Sequence, residues 1–103
     1  MTNEEFKKCM EESIQRSKDV LGAKAVEYAG DMDRLENFKA AAAVQGITPV
    51  RALVGMMTKH YVSITKMARS SHPYNPKVWD EKLVDLRNYT ILLDALLRDE
   101  EPV

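Results

Sequence analysis

The sequence predicts an all-α protein, a single four-helix domain over residues 1–103. Three observations lead there. Val, Ile and Thr nowhere alternate with polar residues, so no strand is expected. Apolar residues instead recur at spacings of three and four over long stretches. The four Gly (22, 30, 46 and 55) and four Pro (49, 73, 76 and 102) are few, and several fall where those stretches break.

The first helix is expected to open at Thr2, with Glu5 three residues later as a capping box, and to run to about Tyr28 before stopping at Gly30. Phe6, Met10, Ile14 and Leu21 form its apolar stripe. The second is expected to start at or near Asp33, where Asp33 and Glu36 repeat the cap pattern. It carries Leu35, Phe38 and the Ala40–Val44 run and ends at Gly46. Thr48-Pro49 places an N-cap before a proline at the first helical position, so a third helix begins there. Val50, Leu53, Val54, Met57, Tyr61, Ile64 and Ala68 trace its core face. Ser70 to Pro76 reads as a loop. The last helix follows Asn75-Pro76, with Trp79, Leu83, Leu86, Leu93 and Leu97 as its stripe, extended by Tyr89 and Leu96.

Composition narrows the function classes. Fifteen Lys and Arg against sixteen Asp and Glu give a formal charge of -1, and the pI is near 6.1. A general nucleic-acid coat would carry a pI above ~9. No apolar run approaches the ~20 residues that span a bilayer, and the start does not read as a signal peptide. The single Cys9 excludes an internal disulfide and a cysteine-rich metal framework. A cytoplasmic location is the expectation, and the host cytoplasm if the chain is phage-encoded. A domain of this size buries about two-thirds of its surface, so a homo-oligomer is expected.

Chemistry is expected where polar groups interrupt the helical pattern. On a wheel at ~100° per residue, Glu81, Asp85 and Asn88 stack with Leu92 on one line of the last helix. Two carboxylates one turn apart repel unless a cation or proton lies between them. A divalent metal, a bound amine or base edge, or the neighbouring Lys82 would balance them. The turn between the first two helices offers Lys24 and Tyr28 on one face, then Asp33, Asn37, Phe38 and the free N–H groups of a helix start. That set suits the phosphate and base of a nucleotide; ordinary capping by Gly30 and Asp33 accounts for much of it equally well. Ala52, Gly55, Lys59, Ser63 and Lys66 fall opposite the apolar stripe of the third helix, where a ligand or another helix could approach. His60 flanks that stripe and reads as a packed histidine at the core edge. Val84 and Ile91 fall on an outward line of the last helix with Arg87 and Arg98, a candidate oligomer contact. No phosphate loop, zinc-spaced pair or serine-hydrolase elbow is present.

One ordered set of residues resembles a known family. It comprises Lys24, Tyr28, Gly30, Asp31, Asp33, Leu35, Asn37 and Phe38, then Gly46-Ile47-Thr48, Met56-Met57 with Lys59, and Asp85-Leu86 with Asn88-Tyr89. The order is similar to small, mostly phage-borne proteins of the nucleotide-modification-associated type, related to all-α MazG-like nucleoside triphosphate pyrophosphohydrolases. The resemblance covers about residues 24–98. It implies a MazG-like helical bundle, assembly into oligomers and nucleotide handling. In that picture Lys24, Lys59 and Lys66 meet phosphate, Tyr28 or Phe38 stacks a base, and Asp85 and Asn88 hydrogen-bond base or ribose. MazG-like enzymes hold Mg²⁺ with acidic pairs on two neighbouring helices, and Glu81 and Asp85 would supply one pair here. The third helix has no carboxylate to supply the other. The expected function is therefore binding, and sequestration, of a nucleotide or nucleotide-derived signal without a cofactor; the alternative is Mg²⁺-dependent pyrophosphohydrolysis.

Overall fold

A computed structural model describes residues 1–27 and 33–100, the side chains of residues 24–27 aside. It is all-helical in those residues: α1 (Asn3–Glu27), α2 (Glu36–Gln45), α3 (Pro49–Arg69) and α4 (Pro76–Glu100). The expected end of α1 at Tyr28–Gly30 lies outside the described residues.

The local signals fix most helix ends. Glu5 N–H donates to Thr2 Oγ1 (3.1 Å) while Thr2 N–H donates to Glu5 Oε2 (2.8 Å), the reciprocal capping box. Thr48 caps α3 by accepting from Arg51 N–H (3.2 Å), and Asn75 Oδ1 accepts from Lys77 N–H (2.8 Å) at the start of α4. Gly46 ends α2 at φ 68°, a left-handed conformation that favours glycine. There Ile47 N–H donates to Ala42 O (3.0 Å), closing the terminal turn. The start of α2 departs from expectation. Asp33 is not its N-cap; its carboxylate accepts from Leu35 N–H (3.0 Å), a turn that delays the helix to Glu36.

Helix α4 is the hub. It packs against α3 on one side and α1 on another, while α2 lies on α3. Leu53 and Leu96, both 0% exposed, centre a core with Leu35 and Phe38, bordered by Val50, Met56, Tyr89, Leu92 and Leu93. Each fully buried leucine contributes about 1.5–3 kcal/mol relative to exposure.

This arrangement corrects three face assignments. The buried face of α4 runs through Val84, Asn88 and Leu96, whereas Leu83 and Leu97 of the expected stripe are exposed. Val84, Asn88 and Leu96 lie roughly 100–180° around the helix from the Trp79–Leu97 line. The cause is α1: Val84 and Arg87 of the expected outward line seat α1, while Ile91 and Arg98 of the same line are exposed. Arg87 Nε donates to the buried Ser17 Oγ (2.9 Å), and its Nη2 reaches Ser13 O (3.4 Å). On α3, Ala52 is buried and not on the back of the helix, and Val54 and Tyr61 are exposed, because α2 and α4 cover two sides. On α1, Phe6, Met10 and Ile14 are exposed and form no core among the described residues.

Among the described residues, no single helix is long and apolar enough to cross a membrane. Helices α2 and α3 reach that length together only across a 99° bend.

Candidate functional site

Four segments converge on a cavity of 210 Å³ beside the hub helix. Helix α4 lines it with Asp85, Asn88, Tyr89 and Leu92; Arg34, Asn37 and Phe38 enter from the start of α2, Met56 from α3 and Leu21 from α1. Spacing explains the α4 wall. Asp85, Asn88 and Leu92 recur at i, i+3 and i+7, so their side chains leave the helix in one direction.

The decisive residue is Asn88. It is 6% exposed, and neither its amide nitrogen nor its amide oxygen has a hydrogen-bond partner among the described residues. Each buried polar group left unsatisfied costs about 1–3 kcal/mol. A carboxamide sets a donor and an acceptor side by side; both atoms are shielded from solvent behind the cavity wall that Asn88 helps to line. Beside it the aromatic groups form a cluster. Phe38 and Tyr89 meet edge-on with centroids 6.5 Å apart, and the His60 ring lies 4.9 Å from Tyr89, tilted by 34°. His60 Nδ1 stands 3.7 Å from Asp85 Oδ2, beyond hydrogen-bonding distance but within ion-pair range when the imidazole is protonated.

A second depression, of 470 Å³, runs between α1 and α4. Arg16, Asp19 and Val20 face Asp80, Glu81, Val84 and Asp85 across it. Asp85 therefore borders both hollows. Arg16 is engaged with Asp80 at 2.6 Å. The carboxylates do not close on a point: among the described residues no three acidic, imidazole or thiol groups could hold a metal ion together.

An ionic latch holds the α2 side in place. Lys39 Nζ donates to Asp33 Oδ2 and, at 2.9 Å, to Asp99 Oδ2 near the end of α4. The Lys39 ammonium and the Leu35 N–H hold the Asp33 carboxyl below its ordinary value. The carboxylates of Asp33 and then Asp99 raise Lys39 above its own. This latch ties the segment carrying Arg34, Asn37 and Phe38 to the helix carrying Asn88 and Tyr89.

Of the residues singled out from the sequence, Asn37, Phe38, Asp85 and Asn88 meet at the cavity, and Glu81 joins Asp85 in the groove. Asp33 lines neither hollow and serves the latch. Lys59 and Lys66 are exposed on α3 and line neither, so the cavity's described cation is Arg34. The Lys24 side chain and Tyr28 lie outside the described residues. Lys82 does not stand in as the partner of Asp85, which faces His60 instead. Sequence reasoning missed Arg34, took Leu21 and Tyr89 as core, and noted Leu92 and Met56 without giving them a role in the site. Arg34 and Tyr89 each directly follow a residue already singled out, which was the available signal.

Fold and site define an all-α protein with a small, aromatic-walled cavity lined in part by a buried asparagine. Comparison with family models, curated proteins and solved structures finds no match to this chain.

Proposed function

We propose that the chain is a small, phage-type, MazG-like nucleotide-binding protein that holds its ligand without turnover, with the base in the α4 cavity. The orphaned carboxamide of Asn88 carries this reading. Asn pairs in a bidentate manner with the amino and ring-nitrogen edge of adenine, and such a pair contributes about 1–3 kcal/mol of discrimination. The volume supports a single ring system: 210 Å³ is below the ~300 Å³ at which sites for drug-sized ligands begin. Sugar and phosphate then extend outward. In this reading Asp85 accepts from ribose hydroxyls or an exocyclic amine, Arg34 meets phosphate, and Phe38 and Tyr89 supply the apolar wall. Asn37 adds a second amide at the α2 side.

The alternative is the Mg²⁺-dependent pyrophosphohydrolase that the family resemblance implies. It would draw on Glu81 and Asp85, with Asp19 facing them across the groove. The described carboxylates do not gather into a metal-binding set, so no hydrolytic step is derived from them.

The test is a nucleotide panel, including cyclic and ADP-ribose-type compounds, titrated calorimetrically with and without Mg²⁺. The expected result is saturable binding by at least one member, release of unchanged ligand on denaturation, and loss of the heat in Asn88→Leu. Conversion to a monophosphate would establish the hydrolytic alternative. No binding by any member would sink the nucleotide reading.

A further inference from the structure

The first half of α1 stands apart from the rest of the molecule. Every residue from Met1 to Glu12 is exposed, and the first that is not is Ser13, where Arg87 of α4 makes contact. Yet this half is amphipathic. Phe6, Met10 and Ile14 form one ridge at intervals of four, and they are 60%, 45% and 46% exposed. A helical segment of about a dozen residues is marginal in water without a packed face.

The whole chain shows the same shortfall. Its accessible surface is 7756 Å² where a folded monomer of 11.7 kDa exposes ~5,900 Å², an excess of roughly 1,900 Å². Its radius of gyration is 16.0 Å against ~13 Å for a compact domain of this length. Each partner of an obligate dimer covers about 1,000–2,500 Å², so an excess of this size leaves room for one such interface, of which the α1 ridge is a part.

We propose that the Phe6–Met10–Ile14 ridge is a homodimer interface, formed by α1 crossing α1 of a second copy in antiparallel fashion about a two-fold axis at Met10. The ridge is self-complementary under that operation. Met10 meets its own copy, and the large Phe6 falls opposite the smaller Ile14, which keeps the packed layers equal in volume. Ridges of four-residue spacing interlock at about −50°, the commonest helix packing. Lys7 and Glu11 lie on one flank of the ridge, and an antiparallel pair brings like flanks together. Lys7 of each copy then approaches Glu11 of the other. A parallel pair would face Lys7 with the Cys9, Ser13 and Arg16 flank and lose that match. The interface uses no residue of the nucleotide cavity.

Sedimentation of the full chain should give a mass of two subunits or a multiple of two. Phe6→Asp with Ile14→Asp should weaken association about 100-fold or more, since central apolar anchors of an interface each contribute a tenfold effect or greater. A monomeric wild type at high micromolar concentration would overturn the proposal, as would a double variant that stays folded and still assembles. If the double variant does not fold, cysteine cross-linking decides, with the exposed Cys9 replaced by Ser. Met10→Cys should form a disulfide-linked dimer, because the axis brings the two positions within the ~7 Å Cα limit. Phe6→Cys should not link to itself, since an antiparallel pair sets the two copies ~12 Å apart along the helix. Equal self-linking at both positions would exclude the antiparallel arrangement. Association with anionic lipid vesicles by a chain that stays monomeric would give the ridge to a membrane surface and overturn the dimer.

Discussion

The ridge of α1 and the core around α4 are built from the same kind of sequence and meet different fates. Phe6, Met10 and Ile14 share a face of α1 as Leu53, Met56 and Met67 share one of α3, yet the first three are exposed while Leu53 is fully buried. The difference lies in what stands opposite. Helix α3 runs between α2 and α4, so a side chain leaving it toward either is covered. Among the described residues helix α1 packs on α4, and its first residue that is not exposed is Ser13. Periodicity shows that a helix has a face to bury; it does not say whether the same chain supplies the cover.

Substitution separates the two regions most sharply at their centres. Leu53→Ala leaves a cavity in the core and should cost about 2–5 kcal/mol in urea unfolding. Phe6→Ala, on a chain held monomeric by dilution, should change stability by less than ~0.5 kcal/mol. A comparable loss at both positions would erase the contrast and place the α1 ridge within the monomer's own core.

Asn88→Leu comes next in size and has the opposite sign. It removes two buried polar atoms that have no partner among the described residues, so the ligand-free protein should gain about 1–3 kcal/mol in thermal or urea unfolding. Ligand binding should be lost at the same time. A destabilised Asn88→Leu would mean that the carboxamide is satisfied within the fold and is not kept for a ligand.

Caps and glycines sharpen the comparison at about 1 kcal/mol. Thr48→Ala should destabilise α3 by about that amount through the lost cap. At Gly55, an added Cβ meets open space, so no close approach within the chain demands glycine. Gly55→Ala should stabilise by roughly 0.5–1 kcal/mol through helix propensity. A loss instead would assign Gly55 to a contact with a second copy, on a face remote from the α1 ridge.

The smallest effect belongs to the latch. The folded-state pKa of Asp33 is lowered. Its contribution is therefore present above the unfolded value of ~3.9 and fades as pH falls through the lower folded value. Lys39 is raised, so its contribution is present below ~10.4 and is lost as pH rises through the higher folded value. Both groups face solvent and salt should screen the pair. Lys39→Ala should flatten both limbs of the stability profile slightly, and the difference should vanish at high ionic strength.

Much of the site was legible without the fold. Asp85 and Asn88 stood out because acids and an amide stacked beside an apolar stripe, and Asn37 and Phe38 because they follow a helix start. The lysines misled. Lys59 shares a helix with Met56, but charge and spacing cannot show that Met56 turns inward while Lys59 remains in water. Arg34 and Leu21 reach the cavity from segments more than fifty residues away from Asn88, and a pairing of that range leaves no periodic trace.

The sequence by itself determined what is local. Helix number, the cap at Thr2, the proline start at Pro49 and the left-handed stop at Gly46 all depend on hydrogen bonds and dihedrals within a few residues. The tertiary structure alone decided which face of each helix is buried. That choice depends on where the neighbouring helix lies. Seating α1 on Val84 and Arg87 covers a second face of α4, well away from its most apolar line, and Asn88 is buried beside that face. An amide at the edge of a stripe became a buried residue of the cavity wall, without a partner among the described residues.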